Sequence, residues 1–102
     1  MRSIRDFCAE GGGNWDPDTV AVEETWDAAL ASAGLAQWAA TAALDGDCGG
    51  DTPFSIGRPP GHHATVAEAM GFCFFNNVAV ATETAIETDS ADRVAILDWD
   101  VH

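Results

Sequence analysis

The chain contains no lysine and no tyrosine, and its basic residues are few. Four arginines stand against 17 acidic residues in a chain of 102, which gives a formal net charge of −13. Without a basic patch the chain cannot attract nucleic acid or an anionic membrane electrostatically, so we expect it to bind neither directly. The acidic excess fits either an ordinary solvated surface or a salt-rich cytoplasm in which ions screen the repulsion. Because lysine is absent altogether, we favour the second, halophilic explanation.

Cysteine is also scarce, and long apolar runs are missing. Cys8, Cys48 and Cys73 are odd in number and follow no paired spacing, which argues against a disulfide framework. No apolar run approaches the roughly 20 residues that span a membrane. Residues 1–6 lack the apolar stretch of a secretion signal. Together these absences predict a reduced, cytoplasmic setting.

The helical signals of the sequence lie in two segments of a chain with a globular composition, 47% of it hydrophobic. Apolar residues at helical spacing on either side of Gly34 predict a helical hairpin or one broken helix over 20–44. Segment 72–88 is long and apolar enough for a buried helix, with two asparagines as unexpected polar members. The glycine-rich segment 1–18 predicts a loop.

Two further segments predict strands. Residues 53–57 are a short apolar run after a turn, and 93–97 read RVAIL, a β-branched run typical of a strand buried on both faces. Helices and strands that alternate along a chain imply a parallel sheet flanked by helices. We therefore predict an α/β fold.

Residues 58–64, RPPGHHA, form the first of three clusters that could carry chemistry. The Pro-Pro-Gly bend gives His62 and His63 a rigid backbone support, as a proton-transfer group needs. Histidine has the unperturbed pKa nearest neutrality, so a pair can serve as base and acid. Taken alone, two adjacent histidines in a loop are more often an ordinary surface pair.

The second cluster, DWDVH, directly follows the predicted strand at 93–97. Because side chains alternate along extended backbone, Asp98, Asp100 and His102 are predicted to point to one side. Sites of parallel α/β sheets form at the carboxyl ends of strands, and two carboxylates with an imidazole match the ligand types of catalytic zinc. A plain acidic strand end explains the same residues about equally well.

The third cluster is GFCFFNN at 71–77, which by itself is best explained as an aromatic-rich helix start packed into the core. Read in order, the three clusters resemble the histone deacetylase and acetylpolyamine amidohydrolase family, nearest its class II and microbial members. Weaker similarity extends back through GGG at 11–13 and DPDT at 16–19. The resemblance covers nearly the whole chain and implies the open parallel-sheet arginase/deacetylase fold.

The resemblance also implies catalytic roles. His63 matches the general base that deprotonates the attacking water and later protonates the leaving amine. His62 matches its electrostatic partner in the tandem pair, and Asp98 matches the carboxylate that pairs with His62.

Binding roles are implied for four other residues. Asp100 and His102 match two of three zinc ligands, and backbone carbonyls of the same segment match a site for a monovalent cation such as potassium. The backbone carbonyl of Gly71 matches the acceptor of the substrate amide N–H. Phe72 matches one wall of a narrow tunnel for an acylated amine, either acetyl-lysine or an acetylpolyamine.

The sequence departs from the family pattern in two respects. The third zinc ligand, an Asp, and the Tyr that stabilises the oxyanion have no counterpart in this chain. We therefore expect residues 1–102 to be the central part of one deacetylase-like domain, truncated at both ends. We also expect the isolated chain to be unstable and inactive, since two ligands hold zinc poorly and the sheet edges would be unpaired.

Two other interpretations stay open at this point. One is a non-catalytic remnant or pseudoenzyme that keeps the centre of the fold. The other is a manganese hydrolase of the arginase type, against which the His62–His63 pair and the run from Gly71 argue.

Overall fold

The structure, a computed structural model, describes residues 3–102 and is mainly helical. Its helices are α1 (Ile4–Ala9), α2 (Thr25–Asp45) and α3 (Asn77–Glu87). Strands β1 (Gly13–Asn14) and β2 (Val20–Ala21) form a small antiparallel sheet in which Gly13 faces Ala21. Long irregular segments connect and follow these elements, and the clusters of the sequence lie on them.

Helix α1 corrects the loop predicted over 1–18. The Ser3 hydroxyl accepts a hydrogen bond from the Asp6 N–H at 3.1 Å, which caps the helix. Phe7 and Cys8 are buried beneath it. A short helix thus forms where the glycine content indicated a loop, because a cap and two buried side chains outweigh the neighbouring glycines.

Helix α2 is one continuous helix, so the predicted hairpin or break at Gly34 is wrong. A single glycine in a helix interior costs only about 1 kcal/mol relative to alanine, and the alanines around it favour the helix. The helix ends at Gly46, whose φ of 72° is the left-handed conformation of a C-terminal cap.

Helix α3 confirms a helix within the segment predicted at 72–88, but it begins only at Asn77. The Asn76 side chain accepts a hydrogen bond from the Ala79 N–H at 3.1 Å and so caps the helix. Residues 70–73 form a tight turn instead of a helical start. Helices α2 and α3 pack against each other.

The predicted strands at 53–57 and 93–97 are not formed in the described chain. The prediction that 93–97 is buried on both faces is wrong for this structure as well, since Ile96 and Leu97 are 58% and 80% exposed. A strand is defined by hydrogen bonds to a neighbour, and none pairs with either segment within residues 3–102. The parallel sheet predicted from them is therefore also not seen; the only sheet in residues 3–102 is antiparallel.

The core is small, most of its buried residues are alanines, and aromatic side chains pack against them. Phe7 meets Trp15 edge to face with ring centroids 5.3 Å apart, and Trp26 meets Phe75 in the same way at 5.3 Å. The buried residues of α2 and α3 are small, all of them alanines except Ser32. Within residues 3–102, no helix has the length and apolar character needed to cross a membrane.

Candidate active site

The first and second clusters meet in space across 36 positions of sequence. The Nδ1 atom of His62 lies 2.8 Å from the Oδ2 atom of Asp98. The His62 ring is about one-quarter exposed and the Asp98 side chain about one-half exposed. This contact joins the Pro-Pro-Gly loop to the segment that follows 93–97.

The charge of Asp98 decides how that hydrogen bond is polarised. The bond with His62 is the main cause that lowers the pKa of Asp98 below its ordinary 3.8, and the Asp100 N–H, 3.0 Å from Oδ1, lowers it further. The carboxylate is therefore ionised at neutral pH and can only accept. Hence His62 carries a proton on Nδ1, and its ring orientation is set by Asp98.

His63 lies beside this pair and against a glycine. Its ring centroid is 4.2 Å from that of His62, with the two ring planes inclined at 55°. A β-carbon on Gly71 would lie 2.7 Å from both Cγ and Cδ2 of His63, a distance that side chains do not tolerate. Only glycine therefore lets the backbone of the third cluster approach the His63 imidazole so closely.

Gly71 and Phe72 are the central residues of the turn at 70–73. Both have positive φ, 56° and 66°, as in a type I′ turn. Left-handed backbone is costly for phenylalanine. The turn is held in this conformation by two backbone hydrogen bonds between Met70 and Cys73, at 3.0 and 2.9 Å. The Phe72 side chain is 62% exposed. The turn thus presents an aromatic ring at the surface, one residue after the glycine that lies against His63.

A residue to which the sequence gave no part in the site holds this turn. Thr19 is fully buried, and its hydroxyl accepts a hydrogen bond from the Phe72 N–H at 3.2 Å. Asp16 fixes Thr19 in turn by accepting its N–H at 2.6 Å. The only signal in the sequence was the weak similarity over 16–19, which gave no role to either residue.

Asp100 and His102 lie together on the last residues of the chain. The Nδ1 atom of His102 is 3.7 Å from Oδ1 of Asp100, and the same oxygen accepts the His102 N–H at 2.9 Å. The oxygens of Asp98 are not directed toward the His102 ring, because they face His62 and the Asp100 N–H.

The donor types of this pair fit zinc, since a carboxylate oxygen and an imidazole nitrogen are both among its ligands. Within residues 3–102, however, no group of three or more His, Cys, Asp or Glu side chains is arranged to hold a metal ion. The described chain thus offers two ligands of the right chemistry, whereas a catalytic zinc takes three from protein.

An open cavity of about 1150 Å³ lies between α2, α3 and the segment 93–98. His62, Asp98 and Asp100 are among its lining residues, and most of the remaining lining is apolar. On one side of the cavity lie the two helices, and on the other lies the extended segment that carries the second cluster.

Known proteins match most of this chain, including the segments that form the site. A sequence model described as the histone deacetylase domain matches residues 2–102. The "Histone deacetylase-like amidohydrolase" of Pseudomonas aeruginosa is 48% identical over 92 residues, which are 90% of this chain and 24% of that protein. The "Probable deacetylase" of Methanothermobacter thermautotrophicus is 47% identical over 97 residues, 94% of this chain and 28% of that one.

A human protein, "Histone deacetylase 7", is 40% identical over 97 residues, which are 90% of this chain and 10% of its own length. The chain thus spans about a quarter of the length of its microbial relatives.

Proposed function

The chain belongs to the histone deacetylase domain family, and from that premise we propose that it forms part of the active site of a deacetylase. The reaction is hydrolysis of the amide bond of an acetylated amine, which releases acetate and the free amine. Family membership implies the arginase/deacetylase fold, and we propose that 93–97 is a strand of its open parallel sheet in the natural polypeptide.

One observation carries the proposal. The 2.8 Å contact between His62 and Asp98 unites two clusters that are separate in sequence, and it sets His63 beside an oriented, carboxylate-paired imidazole. A surface histidine pair has no need of such a partner. A pair of imidazoles with one ring oriented by an ionised carboxylate is an arrangement suited to proton transfer.

The two histidines have different roles in the proposed reaction. His63 takes a proton from the attacking water and returns it to the amine nitrogen as the carbon–nitrogen bond breaks. His62, held on Nδ1 by Asp98, supports the charge that develops on its neighbour. Asp98 itself stays ionised throughout, because its pKa is already lowered.

The turn at 70–73 is proposed to bind the substrate. The Gly71 carbonyl accepts a weak hydrogen bond from the Cys73 thiol at 3.3 Å. A carbonyl oxygen has two lone pairs, so it can also accept the amide N–H of the substrate. The exposed Phe72 ring offers an apolar surface to the methylene groups of an acetyl-lysine or acetylpolyamine.

We further propose that Asp100 and His102 contribute two ligands to a zinc ion in the natural polypeptide. Zinc in such a site polarises an amide carbonyl and makes bound water more acidic. A potassium ion near the backbone of the same segment is proposed from the family resemblance alone.

The test is acetate release from an acetyl-lysine peptide and from an acetylpolyamine by the natural polypeptide, together with its metal content and intact mass. We expect one zinc per chain, and we expect His63→Ala to lower kcat by about 10²–10⁴. Glu87→Gln, an exposed change at the end of α3, serves as the control and should leave kcat unchanged.

Two results would contradict this proposal. Two manganese ions per chain, with no deacetylation, would indicate an arginase-type hydrolase. A natural mass of 10.7 kDa with no activity on either substrate would indicate a non-catalytic remnant.

A further inference from the structure

The backbone that carries His62 and His63 is unusually poor in hydrogen-bond donors of its own. Pro59 and Pro60 have no backbone N–H, so their backbone can hydrogen-bond to other segments only by accepting at the carbonyl oxygens. Beyond them, the Ala64 N–H donates to the Gly61 carbonyl at 3.1 Å. The two histidines are therefore the central residues of a β-turn, 61–64, that must be anchored by other segments.

The first anchor is at the Pro59 carbonyl. It accepts a hydrogen bond from the Ser32 hydroxyl of α2 at 2.8 Å and another from the Asn77 side-chain amide of α3 at 3.3 Å. The Asn77 amide also lies 3.1 Å from the Ser32 oxygen. Ser32 is 4% exposed, so these bonds are protected from competition by water.

The second anchor is at the Ala64 carbonyl, at the other end of the turn. It accepts a hydrogen bond from the Asn76 side-chain NH₂ at 3.1 Å. The Asn76 side-chain oxygen accepts the Ala79 N–H at the same time, so this residue both caps α3 and holds the turn. The partners leave no ambiguity in the amide orientation, since a carbonyl can only accept and an N–H can only donate.

Between the two anchors the turn rests directly on the start of α3. A β-carbon on Gly61 would lie 2.5 Å from the backbone nitrogen of Asn77 and 2.7 Å from the backbone carbonyl oxygen of Phe75. No side chain separates the turn from the helix, so any shift of one is transmitted to the other.

We propose that Ser32, Asn76 and Asn77 are positioning residues that set the location of the His62 and His63 imidazoles for catalysis. The expected effect on kcat rests on the proposed deacetylase function. The expected effect on the position of the two imidazoles does not. It also gives a reason for two asparagines in a segment that is otherwise apolar: their NH₂ groups supply the donors that the Pro-Pro loop lacks.

Asn76 allows the capping role and the positioning role to be separated. Aspartate and serine are both good helix N-caps, but neither offers an NH₂ group to the Ala64 carbonyl. In the natural polypeptide we expect Asn76→Asp and Asn76→Ser to keep α3 capped and to lower kcat about ten- to hundredfold. We expect KM to stay within about a factor of two.

The imidazole shifts and kcat are two independent readouts, Asn14→Asp is the control, and Ser32→Ala is a further test of the anchors. The imidazole ¹⁵N shifts of His62 and His63 should move in both Asn76 variants, whether or not any substrate is turned over. Asn14→Asp, on the exposed strand β1, adds the same charge elsewhere and should move neither the shifts nor kcat. Ser32→Ala leaves one donor at the Pro59 carbonyl and should give a smaller fall in kcat.

The outcomes are separable. If the wild-type protein hydrolyses no acetylated amine, the proposed function fails, whereas shifted imidazole signals in both Asn76 variants still support positioning. Unchanged shifts and kcat in both variants overturn the inference. A fall in kcat with Asp but not with Ser also overturns it, because the added charge rather than the lost donor would then be the cause.

Discussion

Both oxygens of Asp98 are engaged, one by the His62 ring and the other by the Asp100 N–H. The Asp98 carboxylate therefore links the imidazole pair to the segment that carries Asp100 and His102. The hydrogen bond from His62 is the first cause of the lowered pKa of Asp98, so this contact stabilises the ionised carboxylate. The order of the proposed site thus depends on one exposed side chain that stays ionised.

This dependence predicts a pH effect. A carboxyl group whose folded pKa lies below its unfolded value of 3.8 stabilises the fold above 3.8, and loses that contribution as pH falls through the folded pKa. We expect the natural polypeptide to be more stable than Asp98→Asn near neutral pH, and the difference to shrink below pH 3.8.

Urea unfolding of both proteins across this range checks it, since all other carboxyl groups are common to the two. A stability difference that stays constant from neutral to acidic pH would mean that His62 does not stabilise the Asp98 charge.

Helix α2 contains Gly34 and is capped at its C-terminus by Gly46, and the two glycines contribute to stability with opposite sign. Gly34 lies in the exposed interior of the helix, and Gly46 ends it with φ of 72°. A β-carbon at either position would meet nothing within 4 Å, so packing does not distinguish them. What differs is the backbone, which is helical at the first and left-handed at the second.

We therefore expect Gly34→Ala to raise the free energy of unfolding by about 0.5–1 kcal/mol. Gly46→Ala is the matched control and should lower the free energy of unfolding by about 1 kcal/mol, because alanine is strained at positive φ. Urea denaturation of the natural polypeptide measures both. A loss of stability in Gly34→Ala would indicate that another part of the protein packs closely against that position.

At the scale of the whole molecule, the net charge of −13 is the feature that most affects stability. Repulsion between exposed carboxylates opposes compaction, and the screening length falls from about 10 Å at 0.1 M salt to about 3 Å at 1 M. Asp45, Asp47 and Asp51 concentrate such charge on the exposed loop after α2 and at its end.

We expect the Tm to rise steadily as KCl is increased from about 0.1 to 2 M, as a halophilic origin requires. Replacing Asp45, Asp47 and Asp51 by Asn should raise the Tm at low salt and flatten the dependence on KCl. A Tm that does not change with KCl would favour the simpler explanation, an ordinary solvated acidic surface.

Local sequence was enough to locate α3 and most of α2, and to single out the three clusters as candidates. A cap, a run of good helix formers and a left-handed glycine act within a few residues of one another, so they can be read from the chain. The short helix α1 was missed because its stabilisation comes from burial of Phe7 and Cys8, which local composition does not reveal.

Tertiary structure alone decided which residues meet. The pairing of His62 with Asp98, the close approach of Gly71 to His63 and the anchoring of the histidine turn by Ser32 and two asparagines all join distant parts of the chain. The same dependence on distant partners explains why the strand predicted at 93–97 is not formed in the described chain. Its β-branched residues favour a strand, but a strand exists only where a neighbour supplies hydrogen bonds, and the described chain supplies none there.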